Sequence, residues 1–332
     1  MTTRWPAEWE THERTWMAWP SSGYTLGDTG EDADEARKSW AAVANTIVKY
    51  EPVSMVVDPD AVDTARQWLD PRVDIVVAPL DDAWMRDIGP TYVKALDGTD
   101  VGVDWVFNGW GAQKWANWEH DSRIAGTVLS HTNTPVVSSP LVNEGGGIHT
   151  NGDGVVLVTK TVQLDPGRNP EWSQDDVERE LFDTIGARRV VWLDRGLTRD
   201  YDEFGTRGHV DIVATFCNPT TVLFHDQRNP EHPDFEISQE VRQRLETEGF
   251  DLIAVPAPVV LTDAEGPVDY SYINHYVCNG AVILCGFDDP NDEVAREILA
   301  SAYPGRVIEV IDARPLFARG GGIHCITQQQ PA

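Results

Sequence analysis

The pentapeptide Gly-Gly-Gly-Ile-His occurs twice in this 332-residue chain, within NEGGGIHTNG from Gly145 and within ARGGGIHCITQQQP from Gly320. Five identical residues in a row, each near the end of its half of the chain, mark an internal repeat. A strand-like run and a short loop precede each copy, in VVSSPLVNEGGGIH and VIEVIDARPLFARGGGIH. A recurring strand–loop unit fits a radially repeated architecture, in which equivalent loops meet on a central axis. Such loops can set different side chains around one pocket. Here the first copy carries Glu144 just before its glycines, and the second carries Cys325 just after its histidine.

The rest of the chain reads as α/β. Short β-branched runs (PVSMVVD, VDIVVAP, VGVDWVF, GVVLVTK, RRVVWLD, HVDIVATF, TVLFHD, DLIAVPAP, GAVILCGF, RVIEVID) are bounded by Gly, Pro, Asn or Asp and read as strands. Apolar positions at three- and four-residue spacing predict helices over 31–50, 173–187, 238–249 and 292–305, with Ser173 and Ser238 as N-caps. No linker of convincing length divides the sequence, and NGWGAQKWANWEHDS reads as an ordered, Trp-rich loop. Residues 1–332 are therefore expected to form a single domain.

Composition excludes several functions. With 54 acidic against 26 basic residues the formal net charge is −28. Such a surface repels phosphate backbones and anionic lipid, so neither nucleic acid nor membrane is an expected partner. It suits solubility, and it concentrates a cationic substrate. No run approaches the roughly 20 apolar residues that span a bilayer. The N-terminal MTTRWPAEWETHERTW lacks a signal-peptide pattern, which gives the cytoplasm as the expected compartment. The four cysteines form no CxxC pair, which argues against a structural metal or a disulfide framework. Cys217, Cys278 and Cys285 sit in apolar runs and read as core residues, whereas Cys325 lies between glycines and a polar TQQQ run.

Four stretches carry groups capable of chemistry: Asp87 in DDAWMRDIGP, Glu144 in NEGGGIH, His209 and Asp211 in RGHVDIV, and Cys325 in GGGIHC. On a strand, His209 and Asp211 would face the same side. Each signal is ordinary by itself, since an Asp before Gly-Pro forms turns and a lone cysteine packs. Together they fit. A cysteine nucleophile needs a proton-transferring partner, for which His209 is the candidate, and Glu144 could orient that imidazole. Asp87 and Asp211 are then free to grip a planar cation rich in N–H donors, such as a guanidinium. The glycines allow close backbone approach and turns through positive φ.

With these residues in place the chain resembles the agmatine deiminases and their bacterial peptidylarginine-deiminase-like relatives, in the guanidine-modifying (pentein) superfamily. The resemblance runs from WPAEWETHERTWMAWP through DDAWMRDIGP, FNGWG, NEGGGIHTNGDG, GRNP, GHVD and YINHYVCNG to GGGIHCITQQQP. It implies a five-bladed α/β propeller with the site on its axis and no metal or organic cofactor. It also implies a small cationic guanidino substrate and a homo-oligomer. By matching motif positions, Cys325 would be the nucleophile, His209 the general acid/base and Glu144 its orienter. Asp87 and Asp211 would clamp the guanidinium, and Trp84 would form a pocket wall. His149 and His324, inside the repeats, are expected to be structural.

The chain departs from the family pattern at Arg207 and Ile212, which flank GHVD, and at Gly322 and His275. Arg207 bears on the far end of the substrate, because an arginine repels an ammonium and welcomes a carboxylate. It is thus a candidate substrate-binding residue, or a surface residue balanced by Asp200, Asp202 and Glu203. The alternative readings are a deiminase of a carboxylate-bearing guanidine, an amidinotransferase, a metal-dependent amidohydrolase using His209, Asp211 and Asp87, and a non-catalytic propeller.

Overall fold

The computed structural model describes residues 3–332. Its strands fall into five small sheets. The first holds β1 (His12–Ala18), β2 (Val53–Val57) and β3 (Asp74–Val77). The second holds β4 (Thr91–Lys94), β5 (Asp100–Val106) and β6 (Val136–Val142), and the third β7 (Ile148–Thr150), β8 (Val155–Thr159) and β9 (Arg189–Leu193). β10 (Ala214–Phe216), β11 (Thr221–Asp226) and β12 (Asp251–Pro256) make the fourth. β13 (Tyr276–Cys278), β14 (Ala281–Gly286) and β15 (Val307–Asp312) make the fifth, and β16 (Gln328–Pro331) returns to the first. The fold is a five-bladed α/β propeller.

Blades two to five share one plan: a short strand antiparallel to a central strand, which is parallel to a third. Parallel neighbours require a crossover, and in each blade a helix supplies it. Examples are Ile124–His131 between β5 and β6, Gln174–Ile185 between β8 and β9, and Asn291–Ala302 between β14 and β15. Gln174–Ile185 buries Val177, Leu181 and Ile185 at four-residue spacing, and the expected Ser173 cap forms a reciprocal capping box with Asp176. The central strands are covered on both faces. β14 is buried along its whole length, which is why it reads as a continuous apolar run. Among the described residues, no helix is long and apolar enough to cross a membrane.

Three expectations change. The helix predicted from Ser238 starts earlier, at Asp234, and Ser238 lies buried inside it with its hydroxyl accepting from Gln227 N at 2.9 Å. The stretch HVDIVATF is extended only from Ala214. Gly208, at φ +111°, breaks the chain, and Val210–Ile212 forms a 3-10 turn. His209 and Asp211 are thus brought together by a turn and not by strand alternation. The two glycine runs also differ in conformation. Gly145–Gly147 makes a 3-10 turn with no positive φ and leads straight into β7. In the second copy only Gly320 has positive φ (+96°), and the turn falls later, at His324–Ile326. Close approach, more than left-handed backbone, is what requires most of these glycines.

β16 closes the ring. It lies antiparallel to β1, with His12 opposite Pro331 and Trp16 opposite Gln328. Its glutamines are buried and engaged: Gln329 accepts from Arg86 Nη1 at 2.8 Å, and Gln330 accepts from Trp16 Nε1 at 3.0 Å. Deleting residues 328–332 strands those donors, each costing about 1–3 kcal/mol. The shortened chain is expected to lose at least about 3 kcal/mol in urea unfolding. An unchanged midpoint would show that blade one stands without its last strand.

Candidate active site

Each blade contributes the turn that leads into its short antiparallel strand. Met85–Ile88, ahead of β4, carries Asp87. Gly145–Gly147, ahead of β7, follows Glu144. Val210–Ile212, ahead of β10, brings His209 and Asp211. Ser271–Asn274, ahead of β13, ends in Asn274. His324–Ile326, ahead of β16, carries Cys325. The 85–88 turn touches both the 324–326 and the 145–147 turns, and the latter touches 210–212.

Cys325, His209, Glu144, Asp87 and Asp211 thereby meet, all buried. The thiol lies 3.6 Å from Asp211 Oδ2 and accepts from Asn274 Nδ2 at 3.3 Å. Asp211 Oδ2 also accepts from His324 Nδ1 at 2.8 Å, while Oδ1 is buried without a partner. Asp87 accepts from Trp110 Nε1 at 2.9 Å and from Gly146 N at 3.1 Å. His209 Nε2 meets Glu144 Oε2 at 3.2 Å, and its unpartnered Nδ1 stands 3.8 Å from Asp87 Oδ1. Both Glu144 oxygens lie 3.0 Å from Arg168 Nε.

The two glycine runs border this chamber. A Cβ on Gly146 would stand 2.5 Å from His209 Nδ1, 3.0 Å from Asp87 Oδ1 and 3.1 Å from Asp211 Oδ2. One on Gly321 would stand 2.7 Å from the Trp84 ring and 3.1 Å from Cys325 Sγ. Gly146 therefore keeps open the point on which an imidazole nitrogen and two carboxylates converge. Gly321 lets Trp84 stand close to the thiol, where a pocket wall was expected.

Burial and charge set the protonation states. Burial, reinforced by the carboxylates of Glu144 and Asp211, lifts Asp87 to about 6. For His209 burial works downward but is outweighed by Asp87, Glu144 and Asp211, so the imidazole is raised to about 9. Glu144, despite its burial, is held down to about 2 by Arg168 and His209. Burial and then the charges of Asp211 and Asp87 push the Cys325 thiol well above its ordinary value. At neutral pH the free site thus holds a thiol, an imidazolium at His209 and ionised Asp87, Glu144 and Asp211.

Several partners were not foreseen from the sequence. Asn274, Trp110 and Arg168 lie within the quoted motifs YINHYVCNG, FNGWG and GRNP, so the signal was present but unassigned. Arg168 also binds Asp165 and the carbonyl of Thr206. Arg207 Nη1 lies 3.2 Å from Asp165 Oδ2, with its side chain 39% exposed. Asp200 is not its balancing charge. That carboxylate is buried and accepts from the backbone of Thr206, Gly208 and His209. His149 matches the structural expectation, since burial lowers it to about 3 and its Nε2 meets Thr215 Oγ1. His324 does more than fill space, because it bonds Asp211 directly.

An aromatic layer runs outward from Asp87. Trp110 stacks on Trp115 at 5.3 Å, Trp115 packs edge-on against Phe204 and Tyr24, and Tyr24 stacks on Phe204 at 4.6 Å. Phe204 lines a cavity of 260 Å³ between the loop before His209 and the second glycine run. Asp202, Glu203, Glu265 and Asp269 line it too, and Arg199, its one basic residue, is already paired with Asp263 and Glu265.

Residues 4–331 match the family of Porphyromonas-type peptidyl-arginine deiminases. A Streptomyces coelicolor protein provisionally named agmatine deiminase is 56% identical over 338 residues, covering 100% of this chain and 99% of the relative. Agmatine deiminase from Pseudomonas aeruginosa is 35% identical, covering 99% of this chain and 95% of its own. The solved structure of agmatine deiminase from Enterococcus faecalis superposes with a TM-score of 0.92 at 29% identity, covering 99% of this chain and 96% of that one.

Gly146 has an ordinary backbone conformation, so Gly146→Ala adds no backbone strain. Its added methyl overlaps the buried His209 ring, however, and is expected to cost about 1–3 kcal/mol, lowering Tm by several degrees without abolishing folding. Its methyl group would fill the convergence point. The Tm rise that a guanidinium compound gives the wild type should therefore vanish in the variant. A retained ligand shift would place the cation elsewhere.

Proposed function

This chain belongs to the family of Porphyromonas-type peptidyl-arginine deiminases, and on that footing we propose that it hydrolyses the guanidinium of agmatine to N-carbamoylputrescine and ammonia. The observation that carries the chemistry is the convergence of His209 Nδ1, Asp87, Asp211 and Cys325 beside Gly146. We read residues 1–332 as one catalytic domain, because all five blades supply its turns. A cytoplasmic location suits an enzyme whose nucleophile must stay reduced.

Asp87 and Asp211 supply two anions for one guanidinium, and the entering cation offsets the charges that hold the thiol protonated. The thiol proton then leaves to solvent, which gives the reactive thiolate–imidazolium pair. Thiolate adds to the guanidinium carbon. His209, through the Nδ1 that faces the chamber, protonates the departing nitrogen, and ammonia leaves a Cys325 S-alkylthiouronium. The now neutral imidazole takes a proton from water as its oxygen bonds to carbon. Collapse breaks the C–S bond, expels thiolate and yields the ureido product, and the remaining proton is carried away on ammonia. Glu144 fixes the imidazole through Nε2, and Arg168 keeps Glu144 ionised.

The acid-lined cavity supports an ammonium at the substrate's other end. Trp110, which bonds Asp87, stacks on Trp115, and Trp115 packs on Phe204 in the cavity wall. We take this aromatic layer as the route of the substrate's chain towards Asp202, Glu203, Glu265 and Asp269. A carboxylate there would meet like charge. Arg207, the residue that could favour one, is engaged by Asp165.

Agmatine is expected to be turned over with kcat/KM at least about 100-fold above L-arginine, 4-guanidinobutyrate or an arginine peptide. Cys325→Ala should release no ammonia, and a chelator should leave wild type unaffected. Preference for a carboxylate-bearing guanidine would overturn the substrate, and an active Cys325→Ala would overturn the mechanism. Asp269→Asn should raise KM for agmatine about 5-fold, as loss of one ion pair of about 1 kcal/mol implies, and leave methylguanidine unchanged. The kcat/KM profile should rise through about pH 6 as Asp87 ionises, keep rising because the resting thiol must give up its proton, and level off near 9, where His209 begins to lose its own. An unbroken rise past about 9 would remove His209 as the acid.

A further inference from the structure

We infer that Glu8 and His324 form a positioning pair for Asp211: an imidazolium clamped between two buried carboxylates, which fixes the orientation of the aspartate that receives the guanidinium. His324 Nδ1 lies 2.8 Å from Asp211 Oδ2, and His324 Nε2 lies 2.8 Å from Glu8 Oε2. All three side chains are at least nine-tenths buried. A neutral imidazole has one N–H and one lone pair, so it could serve only one of these two acceptors. With a carboxylate on each nitrogen, both must donate and the ring must be charged.

Two nearby buried histidines, His149 and His275, have partners that suit a neutral ring. His149 meets a threonine hydroxyl, and His275 meets the carbonyl of Tyr272 and the hydroxyl of Tyr303. Burial and the nearby Arg86 work against a charge on His324, yet Glu8 and Asp211 raise it above its ordinary value. Burial likewise opposes ionised Glu8, which His324 and Arg86 hold well below the carboxylate range.

Glu8 is itself firmly held. Its Oε1 accepts from Val277 N at 2.8 Å, and Arg86 Nη2 lies 3.4 Å from Oε2. Arg86 is the neighbour of Asp87, and its Nε donates to the carbonyl of His324 at 3.3 Å. One carboxylate from the N-terminal segment therefore ties together the turns that carry Asp87 and Cys325 and, through His324, the turn of Asp211. The bond from His324 occupies Asp211 Oδ2 and leaves Oδ1 buried without a partner, ready for an N–H donor.

The kinetic consequence rests on the deiminase reading, but the charge state does not. Wild type labelled with nitrogen-15 in histidine should show His324 as an imidazolium at pH 7, assigned by its loss in His324→Asn. In Glu8→Gln the ring should become neutral. A neutral ring in wild type overturns the pair. In steady-state assays His324→Leu, which fills the space but donates nothing, should raise KM for agmatine and cut kcat/KM about 100-fold. His324→Asn, which can still donate to Asp211, should recover most of that loss. Equal losses in both variants, tracking their loss of Tm, would reduce His324 to packing and overturn the proposal. If wild type turned over no guanidine at all, the proposed function would fall, and the nitrogen-15 result would still decide the pair.

Discussion

Four carboxylates buried around one axis are the constraint on which this structure turns. Glu8, Asp87, Glu144 and Asp211 are all at most 5% exposed. Even after relaxation, removing such an ion from water costs several kcal/mol unless charge and hydrogen bonds are returned to it. Arg86, Arg168, His209 and His324 return them, and each cation touches or faces at least one of the four anions. The resting chamber is therefore close to neutral while its thiol stays protonated. An arriving guanidinium adds one positive charge, and loss of the thiol proton removes one. Substrate arrival and nucleophile activation are thus parts of one charge balance.

The propeller makes that balance attainable. These residues lie far apart in sequence, and no single helix or hairpin could gather them. A ring of repeated blades puts the turn before each short strand in an equivalent place, so five separate turns converge without any of them being long. The glycines remove side chains where turns must nearly touch. Gly322 is an example, because a Cβ there would press on the amide of Asn274, which binds the nucleophile.

Much of the outer fold was legible in the sequence, because the central strands are apolar runs and the crossover helices carry regular stripes and caps. The short strands were not. IHT, YVC and QQQP are only three or four residues long and go unread, and ATF reads only as the tail of a longer strand, HVDIVATF. Part of the site was hidden as well. Cys325, His209, Glu144, Asp87 and Asp211 stood out because their chemistry is recognisable and complementary. Arg168, Asn274 and Glu8 act through a partner, and nothing local to GRNP, YINH or PAEWE names that partner. The repeat was informative for an unexpected reason. Identical pentapeptides marked two turns on the axis, yet they fold differently: one ends directly in a strand and the other delays it by a further turn. Arg207 shows the converse limit, because its pairing depends on Asp165, 42 residues earlier.

The return of β16 to β1 has a consequence for how the site comes into being. Cys325 is separated from the strand that closes the ring by only two residues, and that strand pairs with residues more than 300 positions away. Contacts of such long range form late, because the chain must surrender its loop entropy before they reward it. The first blade thus waits for the last strand, and the turn that carries Asp87 meets the turn that carries Cys325 only as the circle shuts. Partly folded forms of this chain would carry an ordinary cysteine and scattered carboxylates. Reactivity is the last thing the fold acquires.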